Sequence, residues 1–181
     1  MILLLWIWSV PENFPNKKIG EYIKGSGTDR FVFREGRELT EQIDPPKIAF
    51  ECSEESLNDV LPNSRSLLVV SKKVIEILQR MCSKDIQIFE ANVYIGEKKI
   101  PEYYLLNIIS AVEVIDKTKS EYTTIKGTDA ILNFKKIVYN FEILPNNHHL
   151  VRNVDYKSHV LVSDDLKEEF ERNNIKGVQF T

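Results

Sequence analysis

The chain has few of the residues from which common metal and disulfide sites are built. It contains 2 cysteines in 181 residues, Cys52 and Cys82, and no CxxC or HExxH spacing. Two separate cysteines exclude a zinc site made of four thiolates, and a chain of this size does not need a disulfide to stabilise its core. We therefore expect two free thiols and a reducing compartment, with a single disulfide as the alternative.

The sequence also lacks an excess of charge of either sign. It has 24 basic and 27 acidic residues, a formal net charge of -3. A protein that wraps a phosphate backbone carries a basic stripe, so nucleic acid is not the expected partner. Hydrophobic residues make up 43% and charged residues 28%, a composition typical of a folded chain, which we interpret as one domain spanning residues 1–181.

No hydrophobic run is long enough to span a membrane. The opening MILLLWIW is apolar, but proline and charge interrupt it far short of the ~20 apolar residues that a span needs. It also lacks the basic start and the small-residue cleavage site of a signal peptide, which is the alternative interpretation. We expect a buried β-strand here, no membrane partner, and a cytoplasmic protein.

The rest of residues 1–44 is predicted to have irregular structure. RFVFREGRELT alternates around Gly36 and indicates a short hairpin. The GSGT tetrapeptide lacks the lysine and the strand-loop-helix context of a phosphate-binding loop, so a loop tip is the expected role. After Pro45 and Pro46, KIAF indicates a strand, and SEESLNDVL a short helix capped by Ser53.

Two similar strand-helix-strand units occur in the chain, at residues 66–89 and 158–181. In each, a short apolar strand is followed by a serine, Ser71 or Ser163, that can cap an amphipathic helix. Such a unit cannot bury its own apolar face, so we expect the two to cover each other around a common sheet. Either an internal duplication or two uses of one motif explains the similarity.

The segment between the units is rich in strand signals. Residues 92–115 indicate a strand, a Gly-Glu-Lys-Lys turn and a long strand over 103–115, and residues 120–140 repeat the pattern around Lys-Gly-Thr-Asp. The predicted fold class is therefore α+β: a curved, mostly antiparallel sheet with a few helices, containing the two similar units over residues 45–181.

No catalytic motif is visible in the sequence. Adjacent histidines on a strand point to opposite faces, so His148 and His149 do not predict a metal site. Paired carboxylates lie on predicted exposed helix faces, where solvation explains them better than catalysis. An enzyme or small-molecule-binding protein would have to assemble its site from distant residues, such as His148, Arg152 and Glu142.

Three segments together resemble a known family. They are IPEYYLLNIISAVEVIDKTKSEY, the LVVS and VLVS units with their helices, and LPNNHHLVRNVDYKSHVLVSDDLKEEFERNNIKGVQF. In order and spacing they resemble immunity family eleven of the bacterial polymorphic-toxin systems, over residues 45–180. The resemblance implies a non-enzymatic protein without a cofactor that binds and neutralises a cognate toxin encoded by a neighbouring gene. It carries over no shared binding residues.

Candidate partner-binding residues therefore come from charge and predicted exposure alone. They are Asp164, Asp165, Glu168, Glu169, Glu54 and Glu55. Opposite fields speed association, so this acidic surface would suit a basic partner. Ordinary solubilising charge is one alternative, and an oligomerisation module with an exposed edge strand is another.

Overall fold

The structure, a computed structural model, describes residues 5–140 and 144–181. In those ranges the chain forms two α-helices, α1 (Lys72–Cys82) and α2 (Asp164–Arg172), and fourteen strands. The strands are β1 (Leu5–Ser9), β2 (Glu21–Tyr22), β3 (Lys47–Phe50), β4 (Leu68–Ser71), β5 (Ile86–Glu90), β6 (Asn92–Ile95), β7 (Lys98–Ile100), β8 (Tyr103–Ile108), β9 (Ala111–Val112), β10 (Glu121–Thr124), β11 (Ile131–Lys136), β12 (Leu150–Asn153), β13 (Val160–Ser163) and β14 (Gln179–Phe180).

The α+β class is confirmed, but the strands do not form one continuous sheet. Within the described ranges they form four sheets, ordered β14-β1-β13-β12-β9, β2-β3-β6-β7, β4-β8-β5 and β10-β11. The pairing is antiparallel except between β3 and β6 and between β9 and β12, which are parallel. None of the described sheets closes into a barrel.

The two similar units are confirmed as strand-helix-strand elements, β4-α1-β5 and β13-α2-β14. They belong to different sheets, so the expected common sheet is wrong. Their helices instead pack against each other and share one apolar cluster. Leu78 of α1 and Leu166 of α2 are both 0% exposed in that cluster. The units therefore cover each other through their helices, as the amphipathic patterns require.

The N-terminal strand explains why the chain starts with an apolar run. β1 lies between β13 and β14, with Ile7 opposite Leu161 and Trp8 opposite Phe180. The Trp8 ring contacts Phe170 of α2 edge-on, with centroids 5.5 Å apart. Strand formation is confirmed from Leu5 onward, although the strand is only half-buried, and residues 1–4 lie outside the described residues.

Three local predictions need correction. The hairpin around Gly36 is wrong: residues Arg30–Arg34 form a 3-10 helix because the Asp29 carboxylate accepts the Phe31 N–H at 2.9 Å and Phe33 enters the core. The helix after Ser53 is a single 3-10 turn, Glu54–Ser56, without a side-chain cap bond, since the Ser53 hydroxyl pairs with that of Ser56.

The third correction concerns the long strand over 103–115. β8 ends at Ile108 because the Ile109 N–H donates to the Asp85 carbonyl oxygen at 2.8 Å instead of continuing the ladder. The chain then crosses to the five-stranded sheet, where β9 pairs with β12. The two expected turns, at Gly96 and Gly127, are confirmed, and both glycines have positive φ.

Gly177 offers a test of how tightly the segment after α2 is packed. Its φ is +93°, and an added Cβ would lie 2.0 Å from the Val60 carbonyl oxygen. We expect Gly177→Ala to lower the free energy of unfolding by about 3 kcal/mol, because both backbone strain and a clash with main chain result. Chemical denaturation measures this loss.

Gly96→Ala is the matched control. Gly96 also has positive φ, +58°, but nothing lies within 4 Å of the position that an added methyl group would take. It should lose only about 1 kcal/mol, the cost of the left-handed backbone alone. Equal losses at both positions would contradict the close approach at Gly177.

Candidate functional site

The acidic face of α2 begins at a well-capped helix N-terminus. The Ser163 hydroxyl oxygen accepts the Leu166 N–H at 3.2 Å, which confirms the predicted cap. Asp164 and Asp165 occupy the first turn, where the helix dipole favours negative charge. Asp164 Oδ1 also accepts the Trp6 indole N–H at 2.8 Å, so this carboxylate ties α2 to β1.

Glu169 also has a structural role. Its carboxylate pairs with Arg80 of α1 and with Arg172 of its own helix, and its side chain is only 15% exposed. Asn173 Nδ2 donates to the same carboxylate at 3.0 Å. Two cations therefore already compensate Glu169, which leaves it less suited to a partner than its sequence position suggested.

Asp165 and Glu168 are the two predicted α2 carboxylates that are free to bind a partner. Both are exposed, and neither forms an ion pair within residues 5–140 and 144–181. The four predicted α2 residues thus lie on one helix, but they divide into two that stabilise the fold and two that face solvent.

The other two predicted residues lie elsewhere. Glu54 and Glu55 are exposed on the 3-10 turn that follows β3, and Glu54 pairs with Lys98 of β7. No hydrogen bond or ion pair among the described residues joins this turn to the α2 carboxylates. The six carboxylates chosen from the sequence therefore form two groups, and the structure brings only the α2 group together.

The alternative site of His148, Arg152 and Glu142 is not assembled in the described part of the chain. Glu142 lies outside the described residues. His148 Nδ1 is 2.5 Å from Asp85 Oδ1, whereas Arg152 donates to two backbone carbonyls, Lys157 O at 2.8 Å and Phe33 O at 3.0 Å. The histidine and the arginine thus have separate partners.

Asp85 is a buried polar centre that sequence reasoning missed. It is 0% exposed and accepts the Ser110 hydroxyl at 2.8 Å as well as contacting His148. Its carboxylate lies between the hydroxyl and the imidazole, so the serine proton is directed to the carboxylate and not to a histidine base. A serine is activated when a histidine accepts its proton, so this arrangement does not make Ser110 a nucleophile. It joins the turn after α1 to the segments around β9 and β12.

The one sequence signal for this centre was an acid directly before an apolar strand. Ile86 follows Asp85 and is buried, and Cys82, three residues before Asp85, is buried too. A carboxylate in such surroundings needs partners, but the partners come from residues 110 and 148, which local patterns cannot indicate.

Both cysteines are buried free thiols, as expected. Burial, with a smaller contribution from the Asp85 charge, raises the pKa of the Cys82 thiol to about 12. A thiol with such a pKa stays protonated at neutral pH and is a poor nucleophile.

The described part of the chain offers neither a metal cluster nor a membrane-spanning helix. No group of three or more His, Cys, Asp and Glu residues there is placed to hold a metal ion. The helices of residues 5–140 and 144–181 include none with the length and apolar character needed to cross a bilayer.

The fold and the candidate site define an α+β protein that presents an exposed acidic helix face. The model of the Immunity protein family (Imm11) matches residues 16–181, so the chain belongs to this family. No curated protein matches the chain. The resemblance seen in the sequence is confirmed, and the match begins well before residue 45, so it includes most of the irregular N-terminal region. Membership supports an immunity function.

The Ser163 cap can be tested by removing its hydroxyl. Ser163→Ala leaves the Leu166 N–H without its acceptor and also removes the hydrogen bond between the Ser163 hydroxyl and His149 Nδ1 at 2.8 Å, so we expect a loss of about 1–2 kcal/mol in the free energy of unfolding. Ser53→Ala removes an exposed hydroxyl that caps nothing and should change stability by less than about 0.5 kcal/mol. Similar effects of the two variants in thermal denaturation would argue against the cap.

Asp85 can be tested in the same way. Asp85→Ala leaves Ser110 and His148 without their buried acceptor, and we expect a loss of about 3 kcal/mol. Asp129→Ala, in the exposed turn between β10 and β11, is the control and should be nearly neutral. Urea denaturation measures both, and wild-type stability of Asp85→Ala would show that the buried centre does not stabilise the fold.

Proposed function

We propose that the protein binds a cognate toxin domain encoded by a neighbouring gene and neutralises it by occlusion, without catalysing a reaction. The match of the Immunity protein family (Imm11) over residues 16–181 is the observation that carries this proposal. The buried carboxylate Asp85 and the buried thiol Cys82 both lie in arrangements that favour stability over reactivity, which supports a binding role. The cytoplasm is the proposed location, and neither nucleic acid nor a membrane is a proposed partner.

The proposed contact surface is the outer face of α2. Its open carboxylates, Asp165 and Glu168, are one turn apart or less, and the helix beneath them is fixed by Leu166 and Phe170, which are 0% and 1% exposed. A rigid helix loses little conformational entropy on binding. Less of the favourable electrostatic energy is then offset, and the affinity is higher. Glu55 remains a second candidate on the turn after β3.

A growth experiment tests the function itself. The C-terminal domain of the large protein encoded beside this gene is expressed in bacteria with and without the immunity protein. We expect growth arrest by the toxin domain alone, and rescue together with a stable co-purified complex when both are present. Continued arrest with no complex would contradict the proposal.

Charge reversal tests the surface. The double variant Asp165→Lys and Glu168→Lys should weaken toxin binding by roughly 10-fold or more, because each reversal replaces attraction by repulsion at a basic partner. Calorimetry of the purified complex measures the affinity. Stability should fall by about 1 kcal/mol, because Asp165→Lys places a positive charge in the first turn of α2, whereas Glu168 has no ion-pair partner among the described residues.

The matched control is Glu97→Lys with Glu121→Lys, which makes the same net charge change at exposed positions on two other hairpins. It should bind like wild type apart from a small long-range effect that salt screens. Wild-type affinity in the α2 double variant would remove this face from the proposal.

A further inference from the structure

A cavity of about 400 Å³ lies between β1, the loop before β4 and the start of β13. Its lining includes the apolar residues Trp8, Val60 and Leu67 and the basic residues Arg34 and Arg152. A volume of this size is within the range of small-molecule sites, which combine an apolar wall with a few polar groups. None of the predicted partner-binding carboxylates lines it.

Arg152 is a buried cation whose charge has no described counter-ion. Its side chain belongs to β12, and the residue is 4% exposed. Its two Nη atoms donate to the Lys157 and Phe33 carbonyl oxygens, while the Nε–H has no acceptor among the described residues. The carbonyls fix the guanidinium in position without neutralising it.

Arg34 adds a second cation beside the first. It follows Phe33, whose carbonyl oxygen holds Arg152, and it is half-buried. Burial lowers the pKa of Arg152 to about 10, with a further contribution from the Arg34 charge. Burial and the nearby charges of Arg30 and Arg65 lower the pKa of Arg34 as well. Two like charges therefore lie near each other in the lining of the cavity.

No carboxylate in residues 5–140 and 144–181 forms an ion pair with any of these four arginines. A water molecule can accept hydrogen bonds from a guanidinium, but it does not compensate a buried charge. An oxyanion would do both, because it accepts charge-assisted hydrogen bonds and supplies the missing negative charge.

We propose that this cavity binds a small organic anion, with its phosphate or carboxylate group between Arg34 and Arg152 and its apolar body against Trp8 and Val60. The site is separate from the α2 face, and the proposal stands whether or not the toxin proposal does. Binding of such a ligand would stabilise the protein in proportion to its concentration.

Calorimetric titration of the purified full chain with phenyl phosphate tests the site. Inorganic phosphate and benzyl alcohol serve as probes of the acid group and the apolar body alone. We expect saturable binding of phenyl phosphate with a Kd below about 1 mM, at least about 10-fold tighter than for either fragment. No saturable binding of phenyl phosphate up to about 10 mM would overturn the proposal, as would equal affinity for benzyl alcohol.

Variants locate the binding. Arg34→Gln keeps the buried Arg152 contacts and should weaken phenyl phosphate binding about 10-fold, whereas Arg172→Gln removes the same charge from α2 and should bind like wild type. Arg152→Gln should abolish binding, and thermal denaturation shows whether this variant is folded. Arg34 lies in a short helix at the surface, so Arg34→Gln is expected to fold. If Arg152→Gln unfolds, the affinity of Arg34→Gln still tests the proposal. Wild-type affinity in Arg34→Gln would overturn the assignment.

Discussion

The packing of α1 against α2 is the contact on which the rest of the molecule depends. Each helix buries one apolar face, and neither sheet that flanks them could cover that face alone. The ion pair between Arg80 and Glu169 closes the edge of this contact. Asp59 adds a polar connection, because it accepts Ser71 at the start of α1 and the Lys176 N–H after α2. The proposed binding face is the outer face of α2, which carries Asp165 and Glu168.

The contact between α1 and α2 also decides which carboxylates of α2 take part in the fold. An acidic helix read from sequence looks uniform, but its carboxylates have different surroundings in the fold. Asp164 binds Trp6 of β1 and Glu169 binds Arg80 of α1, so both carboxylates already have partners within the protein. Asp165 and Glu168 have no such contacts among the described residues. A rigid helix with two open carboxylates is consistent with a family whose members are immunity proteins.

Sequence patterns predicted the parts of the fold that depend on local periodicity. The strand-serine-helix-strand order of both units, the Ser163 cap and the turns at Gly96 and Gly127 follow from such patterns. Ser71 occupies the first N-cap position too, but its hydroxyl donates to Asp59 at 3.1 Å and so does not cap α1. The division into separate sheets, the Asp85 centre and the Arg152 cavity depend on contacts between residues far apart in the chain. No local pattern encodes these contacts.

The central proposal is that α2 forms the docking face of a toxin-binding protein. Hydrogen exchange of the protein alone and in complex with the toxin domain tests it most directly, because it reports every backbone amide under native conditions. We predict slower exchange on complex formation in residues 164–172. A stable complex in which the α2 amides exchange as in the free protein, while another surface becomes protected, would contradict it.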